Sequence, residues 1–265
     1  MPKLYEKPGP NDHEKVREMM SRSVDPAEVA KFDAMAAEWW DPNGPGRPLH
    51  MMNPCRLDYI VAQAAGEFGR DLSQAAPLSG LRAIDVGCGG GLLCEPLARL
   101  GAEVTGVDAA EANVRAAAAH AEAGGLGIDY RATTAEALAE GGARAEIVLA
   151  MEIVEHVADP AEFLASVASL VAPGGLLIVS TLNRTARAFG AAVVGAEWIM
   201  RWLPRGTHDW SRFIAPDTLE DMIRAGGLEP VDRKGMVPDL ARGGFRLSDR
   251  DLAVNYVVTS RREDG

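Results

Sequence analysis

The stretch Asp85-Val86-Gly87-Cys88-Gly89-Gly90-Gly91 lies between an apolar run and a segment with the composition of a helix. LRAIDV over 81–86 predicts a strand, and GGLLCEPLARL, closed by Gly101, predicts the helix that follows it. EVTGVD over 103–108 predicts a second strand. In an open α/β sheet, ligands bind beyond the carboxyl ends of the strands, and glycines there let a ligand lie against bare backbone. The stretch therefore predicts a strand–loop–helix unit with a ligand site in its loop.

Strands and helices alternate through the rest of the chain, which favours right-handed βαβ units and a parallel sheet covered on both faces. The predicted elements are a helix over 110–123, strands over 128–131 and 146–151, a helix that opens at Asp159-Pro160 with Glu162 in a capping-box position, a strand over 176–181, a helix over 217–225, and strands near 228–233 and over 253–260. The sequence therefore predicts one doubly wound α/β domain over 25–265.

Two helices are expected before this alternation, within residues 25–75. Asp25, Pro26 and Glu28 have the pattern of an N-cap, a first helical residue and the reciprocal partner of a capping box. This helix is expected to run to Trp39-Trp40, and a second helix is expected over 55–68. Residues 1–24 are expected to form a flexible arm.

The composition excludes some classes of function. The chain has 265 residues, 47% of them hydrophobic and 25% charged, and a formal net charge of −11. An acidic chain is unlike a nucleic-acid-binding protein, which needs basic surface against phosphate. The three cysteines, Cys55, Cys88 and Cys94, form no metal-type pair and suit a reducing, cytoplasmic compartment. We see no secretory leader and no apolar run long enough to cross a bilayer.

Two kinds of cofactor could use the glycine loop. A dinucleotide requires G-x-G-x-x-G, but Leu92 stands at the third position. The spacing D-x-G-x-G-x-G resembles that of class I S-adenosylmethionine-dependent methyltransferases, in which Asp85 can meet the ammonium of the cofactor's methionine part. Asp108 at the end of the second strand can take both ribose hydroxyls. The alternative is a glycine-rich turn that only closes a strand–helix joint.

Several longer motifs carry a more specific resemblance. They are FDAMAAEWWDP, RPLHMMNPCRLDYI, DVGCGGGLL, MEIVEHV, PGGLLIVSTLNRT, VVGAEWIMRWLPRGTHDW and the late NYVV. Together, from about 32 to 259, they resemble the ubiquinone-biosynthesis O-methyltransferases. The resemblance implies a Rossmann-like doubly wound sheet of seven strands, the last antiparallel, with an N-terminal helical extension. It also implies two reactions, the methylation of a polyprenyl-catechol hydroxyl and of 3-demethylubiquinol.

The resemblance also implies a cofactor site for S-adenosyl-L-methionine. The expected cofactor-binding residues are Arg56, Asp85, Gly87, Gly89, Asp108 and Met151. Arg56 would clamp the cofactor's carboxylate with its planar donor fork, and Met151 would lie against the adenosine. From the residues alone, Arg56 could equally be a surface arginine and Met151 a core methionine. Many members of the superfamily carry an acid for the adenine amino group after the third strand; this chain has Thr133-Thr134-Ala135 there.

An acid–histidine cluster follows the fourth predicted strand. If residues 152–156 turn helically, Glu152, Glu155 and His156 share one side. His156 could act as the general base for a phenol. Alternatively, the three side chains could hold Mg²⁺, Zn²⁺ or Mn²⁺, and metal dependence through this cluster is implied by the eukaryotic members of the family. A third possibility is that the glutamates pair locally and His156 only packs.

The segment 182–215 is expected to be an insertion. Residues 187–203 predict a helix with Trp198 and Trp202 among its apolar residues, and arginines lie on both sides of it. Trp and Arg on a short apolar helix suit a membrane interface, so we expect contact with an anionic membrane through 187–205 and a peripheral location at the inner membrane. The alternative, compatible with this, is a lid over the active site.

Two rival functions stay open at this point. One is a nicotinamide-dependent oxidoreductase, against which Leu92 speaks. The other is a non-catalytic partner in a quinone-biosynthesis protein complex, against which the complete glycine loop and the MEIVEH segment (151–156) speak. Even a catalytic chain could belong to such a complex.

Overall fold

An eight-stranded sheet forms the centre of the part of the chain that the computed structural model describes, which is residues 24–44, 46–190, 210–239, 241 and 243–264. The strand order is β3-β2-β1-β4-β5-β8-β6-β7. The strands are β1 (Arg82–Val86), β2 (Glu103–Asp108), β3 (Asp129–Ala132), β4 (Ala145–Met151), β5 (Val171–Leu182), β6 (Glu229–Asp239), β7 (Gly244–Ser248) and β8 (Asn255–Arg261).

The first five strands pair in parallel, and β8 pairs antiparallel with both β5 and β6. The predicted doubly wound sheet with an antiparallel last strand is confirmed. The strand count differs, because β6 continues to Asp239 and pairs with an additional strand, β7. β7 is only five residues long. Phe245 and Leu247 alternate with the exposed Arg246, but both are only half-buried, so the strand leaves a weak signal in the sequence.

The described helices are α1 (Pro26–Met35), α2 (Arg47–Phe68), α3 (Cys94–Arg99), α4 (Glu111–Ala123), α5 (Ala135–Glu140), α6 (Pro160–Ser169) and α7 (Pro216–Ala225). Short helical turns cover Ala36–Glu38, Val154–His156, Ala186–Ala188 and Trp210–Arg212. None of the helices in these ranges combines the length and apolar character needed to cross a bilayer.

The second helix is longer than predicted, because it begins at Arg47 rather than at 55. Pro48 lies in the first turn, where an N–H has no partner within the helix, so proline costs no hydrogen bond there. Pro54 is accommodated inside the helix. The short helix α5 was not predicted at all. Residues 1–23 of the expected arm over 1–24 and most of the expected helix over 187–203 fall outside the described residues.

Helices cover both faces of the sheet, as successive residues of β4 show. Val148 and Ala150 belong to a core cluster that also contains Phe163 and Leu164 of α6. Their neighbours Ile147 and Leu149 belong to a second cluster with Tyr59 and Ile60 of α2. Both faces of the strand are therefore buried, which explains its continuous apolar sequence. The site must lie at the end of the sheet rather than on a face.

Candidate active site

A cavity of about 600 Å³ opens beyond the carboxyl ends of the parallel strands. Helix α1, helix α2 and the β6–β7 hairpin close its sides. All nine residues predicted for the site line this one cavity: Arg56, Asp85, Gly87, Gly89, Asp108, Met151, Glu152, Glu155 and His156. Residues separated by as much as a hundred positions are thus brought together by the sheet topology.

The glycine loop has the backbone that its composition predicts. Gly87 and Gly89 have φ values of 72° and 53°, which only glycine adopts readily. The ring of Trp39 lies over the loop so closely that a Cβ at Gly89 would be 2.8 Å from it, and a Cβ at Gly90 would overlap the same side chain. The indole of Trp40 donates to the carbonyl oxygen of Gly90 at 2.9 Å. The N-terminal segment therefore holds the loop from outside.

Asp108 connects the second strand to this loop. Its Oδ2 accepts from the backbone N of Gly89 at 2.9 Å, and its Oδ1 accepts from the backbone N of Ala110 at 2.8 Å. Burial raises the pKa of Asp108, whereas these hydrogen bonds act to lower it. The carboxylate is thus held in a fixed orientation at the cavity wall.

Arg56 and Asp85 also line the cavity and are both buried. Arg56 is 3% exposed, and its terminal nitrogen donates to Asn53 Oδ1 at 3.0 Å. Its buried Nε has no hydrogen-bond partner among the described residues. Burial lowers the pKa of Arg56, opposed by the nearby charges of Glu152 and Asp85. Burial also raises the pKa of Asp85 to about 6. A cationic donor and a carboxylate, both buried, therefore face one small volume.

Glu152 holds an unusual backbone conformation just after β4. Its φ is 57°, the one positive value outside glycine in the described ranges, and such a conformation costs about 1 kcal/mol. Ser180 Oγ donates to its Oε1 at 2.6 Å, and Asn255 Nδ2 donates to its Oε2 at 2.7 Å. These two bonds to a carboxylate stabilise the strained turn.

Glu155 and His156 have hydrogen-bond partners of their own. Thr181 Oγ1 donates to Glu155 Oε2 at 2.7 Å; burial and then the charge of Glu152 raise the pKa of Glu155 to about 7. The ring nitrogen Nδ1 of His156 lies 2.8 Å from Oε2 of Glu28, a residue of α1. The same bond lowers the pKa of Glu28 to about 2.

Burial acts to lower the pKa of His156, but the bond to Glu28 and the charges of Glu155 and Glu28 outweigh it, so the pKa is raised. The capping prediction is half right. Asp25 accepts from the backbone N of Ala27 at 3.0 Å, whereas the carboxylate of Glu28 binds His156 and Lys31 instead of closing the box.

The prediction that the three side chains share one side and could hold a metal needs correction. The turn at Val154–His156 is a tight one and Glu152 is left-handed, so their side chains do not lie on one helical face. Within the described ranges, no group of three His, Cys, Asp or Glu side chains converges as a metal site requires. The described structure therefore gives no support for a metal held by Glu152, Glu155 and His156.

Three functional candidates were missed by the sequence analysis. Glu28 and Trp39 belong to helical segments whose patterns gave no reason to place them at the cavity. Glu136, at the start of α5, lines the cavity and is 9% exposed, and neither of its carboxylate oxygens has a hydrogen-bond partner among the described residues. The sequence AEALAE is typical of a surface helix, so only the fold could place this carboxylate inside.

The comparisons with known proteins agree with this geometry. A family model described as a methyltransferase domain matches residues 60–233. The solved structure of a magnesium protoporphyrin IX methyltransferase from Synechocystis PCC 6803 with bound S-adenosylmethionine superposes with a TM-score of 0.59, at 18% identity, over 91% of this chain and 98% of that one. The fold, the glycine loop and the family model together define an S-adenosylmethionine-dependent methyltransferase.

Curated relatives identify the family of methyltransferases to which the chain belongs. The ubiquinone biosynthesis O-methyltransferase of Cereibacter sphaeroides is 63% identical over 242 residues, which are 91% of this chain and 98% of the relative. That of Ruegeria pomeroyi is 62% identical over 240 residues, 91% of this chain and 97% of the relative. The chain belongs to the family of ubiquinone biosynthesis O-methyltransferases. The predicted fold, enzyme class and cofactor are thereby confirmed, and the oxidoreductase and non-catalytic interpretations are set aside.

Proposed function

We propose that this enzyme transfers the methyl group of S-adenosylmethionine to hydroxyls of polyprenylated catechols and quinols, in the two O-methylation steps of ubiquinone biosynthesis. The observation that carries the proposal is the single cavity that contains both the glycine loop and His156. The same cavity also has apolar side chains on its wall, among them Met52, Met236 and Phe245, which suit a prenylated ring. The proposal is tested by measuring methyl transfer from labelled cofactor to a short-tail catechol. The control is the same ring with both oxygens already methylated.

The cofactor site is assigned from the side chains that face the loop. The buried guanidinium of Arg56, with its unpartnered Nε, would hold the carboxylate of the methionine part, and Asp85 the ammonium. Asp108 would accept from the ribose hydroxyls, Gly87 and Gly89 would give close backbone approach, and Met151 would pack beside the adenosine. The bound cofactor supplies an electrophilic methyl group on a sulfonium.

His156 is the proposed general base for the phenol. Because Glu28 has a pKa of about 2, it is an acceptor at neutral pH, so Nδ1 of His156 must carry the hydrogen of their bond. In the neutral ring, Nε2 is then the nitrogen that accepts a proton. The edge of His156 also packs against Phe32, with ring centroids 5.1 Å apart. Two contacts to α1 thus fix the ring at the cavity wall, as general base catalysis requires.

Glu136 is the proposed acceptor for the adenine amino group. A carboxylate that is buried without partners is costly, and a donor from a ligand would remove that cost. Glu136 lies beyond β3, next to the strand that ends in Asp108, and Thr133 donates its backbone N to the carbonyl of Asp108 at 3.1 Å. The base of an adenosine held at Asp108 therefore comes close to this side chain.

Glu136→Gln is expected to reduce the preference for adenine over hypoxanthine. In the wild type, S-adenosylhomocysteine should bind about 10-fold more tightly than S-inosylhomocysteine, which lacks the amino group. Calorimetry on both ligands measures the ratio, with Glu140→Gln on the same helix as the control. An unchanged ratio in Glu136→Gln would exclude the adenine contact.

Membrane binding through residues 187–205 stays a proposal, together with a peripheral place at the inner membrane and an assembly with other proteins of quinone biosynthesis. Most of that segment is outside the described residues, but two aromatic side chains at its borders are exposed, Phe189 at 43% and Trp210 at 41%. The guanidinium of Arg184 lies 5.3 Å from the centroid of the Trp210 ring. Exposed aromatic rings beside arginines suit the interface of an anionic membrane.

Liposome sedimentation should show binding to phosphatidylglycerol vesicles that added salt partly reverses, because each arginine contributes about 1 kcal/mol near anionic lipid. Trp198→Glu with Trp202→Glu is expected to abolish it, and Phe189→Glu to weaken it. Leu72→Glu is the matched control, since Leu72 is 52% exposed and lies outside the segment. If the wild type ignores such vesicles, the segment is a lid and the membrane proposal is wrong.

A further inference from the structure

A relay of hydrogen bonds joins the N-terminal segment to Asp108. The indole Nε1 of Trp39 donates to Asn113 Oδ1 at 2.8 Å. Asn113 Nδ2 donates in turn to Asp108 Oδ1 at 3.3 Å. Trp39 is 7% exposed and Asn113 is 1% exposed, so water competes little for these bonds. Residues that lie 74 positions apart are thus connected inside the protein.

The relay decides which end of the Asn113 amide faces the carboxylate. An indole N–H can only donate, so it must meet the amide oxygen. The amide nitrogen is then directed at Asp108, where a donor is favourable. With the amide reversed, its oxygen would oppose the carboxylate oxygen, and two acceptors would face each other in a buried place. Trp39 therefore specifies the favourable orientation of Asn113.

Trp39 also supports the second oxygen of Asp108. Its ring packs on Gly89, and the backbone N of Gly89 is the donor to Asp108 Oδ2. Both oxygens of the carboxylate thus depend on contacts that this one side chain makes. Asp33, in the same N-terminal segment, accepts from the backbone N of Ala112 at 3.1 Å and fixes the segment to the helix that carries Asn113.

We infer that Trp39 and Asn113 are positioning residues for ribose recognition, so that the segment before α2 sets how the enzyme binds the ribose of its cofactor. This inference rests on the proposed role of Asp108 as the ribose acceptor. The relay orients the carboxylate plane, and a carboxylate can bind two vicinal hydroxyls only when both of its oxygens face them. Neither residue needs to touch the ligand.

Trp39→Phe is the decisive variant, because it keeps a ring over Gly89 and removes the N–H. Calorimetry is done on the full chain with S-adenosylhomocysteine and with its 2′,3′-dideoxy analogue. The variant is expected to bind S-adenosylhomocysteine about 5-fold more weakly and the analogue nearly as well as the wild type. Asn113→Ala should give the same pattern, and the double variant should be no worse than Asn113→Ala alone. The far-ultraviolet spectrum and Tm confirm that each variant is folded.

Trp40→Phe is the matched control, since its N–H donates to the loop carbonyl of Gly90 and not to Asn113. It should change the binding of both ligands by the same factor. Equal weakening of both ligands in Trp39→Phe, or no weakening, would overturn the inference and leave Trp39 a packing residue. If the wild type and Asp108→Asn show no preference for the ribose ligand, the assignment of Asp108 fails first and the relay with it.

Discussion

Replacing His156 with alanine is expected to lower kcat by about 10²–10⁴-fold, the usual contribution of a positioned general base. The phenol must lose its proton as its oxygen attacks the methyl group, and the variant lacks the imidazole that would accept it. Cofactor affinity should change little, since His156 is not among the residues proposed to bind it. Steady-state kinetics with a short-tail catechol, together with calorimetry on S-adenosylhomocysteine, measure both effects. Undiminished kcat would remove His156 from the mechanism.

The activity of the enzyme is expected to fall at low pH, because His156 then becomes protonated. His156 must be neutral to accept a proton, and its pKa is raised above the ordinary 6.5. Activity should therefore fall as the pH is lowered through a value above 6.5. Among the residues that the structure describes, the charged groups that act on the ring include Glu28 and Lys31 on α1 and Glu155 in its own turn. Glu28→Gln removes the charge that stabilises the protonated ring, so the midpoint should move to lower pH. A midpoint that does not move would contradict the pairing of the two residues.

The correction on the metal site can be tested with the same assay. If the cluster acts without a metal, excess EDTA leaves the activity of the wild type unchanged. A loss that is restored by Mg²⁺, Zn²⁺ or Mn²⁺, together with equal losses in Glu152→Gln and Glu155→Gln, would show that the described arrangement of these side chains is not the catalytic one.

Arg56→Ala is expected to weaken the binding of S-adenosylhomocysteine by about 10²-fold or more. Removing one partner of a buried charge pair costs about 2–5 kcal/mol, because the other charge is left without its partner. The carboxylate of the cofactor takes no part in methyl transfer, so the clamp acts on ground state and transition state alike. The KM for the cofactor should thus rise much more than kcat falls.

Arg56→Lys separates charge from geometry. Lysine keeps the positive charge but not the planar fork. Its single ammonium group cannot both donate to Asn53, as the terminal nitrogen of Arg56 does, and occupy the position of the unpartnered Nε. We expect it to recover a part of the lost affinity. A pure loss of kcat with unchanged affinity, in either variant, would contradict the clamp.

The sequence predicted the fold well where periodicity and turn chemistry agree. The strand EVTGVD was placed at its observed bounds, and the helix opened by Asp159-Pro160 has the predicted cap, with the Asp159 carboxylate accepting from the backbone N of Ala161. Strand β7 was missed because it is only five residues long and its apolar residues are only half-buried. Helix α2 was predicted too short. It begins at Arg47 and contains Pro54, a residue type that ordinarily disfavours the interior of a helix.

The site was predicted where the residues follow a strand end and missed where they reach the cavity from another element. Asp108 and Glu152 end or follow strands, and the topology alone brings them together. Glu28, Trp39 and Glu136 are placed by tertiary contacts that no local pattern contains. The metal prediction is without support among the described residues for a similar reason. It assumed helical spacing from 152 to 156, and the left-handed backbone of Glu152 breaks that spacing.

The position of β8 in the sheet has a consequence for how the protein is made. This strand is the last of the eight to be synthesised, yet it lies between β5 and β6, with a hydrogen-bonded neighbour on each side. While the chain emerges from the ribosome, β1 to β5 can assemble early, but the β6–β7 hairpin has no edge to join until residues 255–261 arrive. The apolar wall that Met236 and Phe245 contribute to the cavity is therefore added at the end of biosynthesis. A nascent chain arrested before residue 255 would hold a nearly complete cofactor half and an open acceptor half.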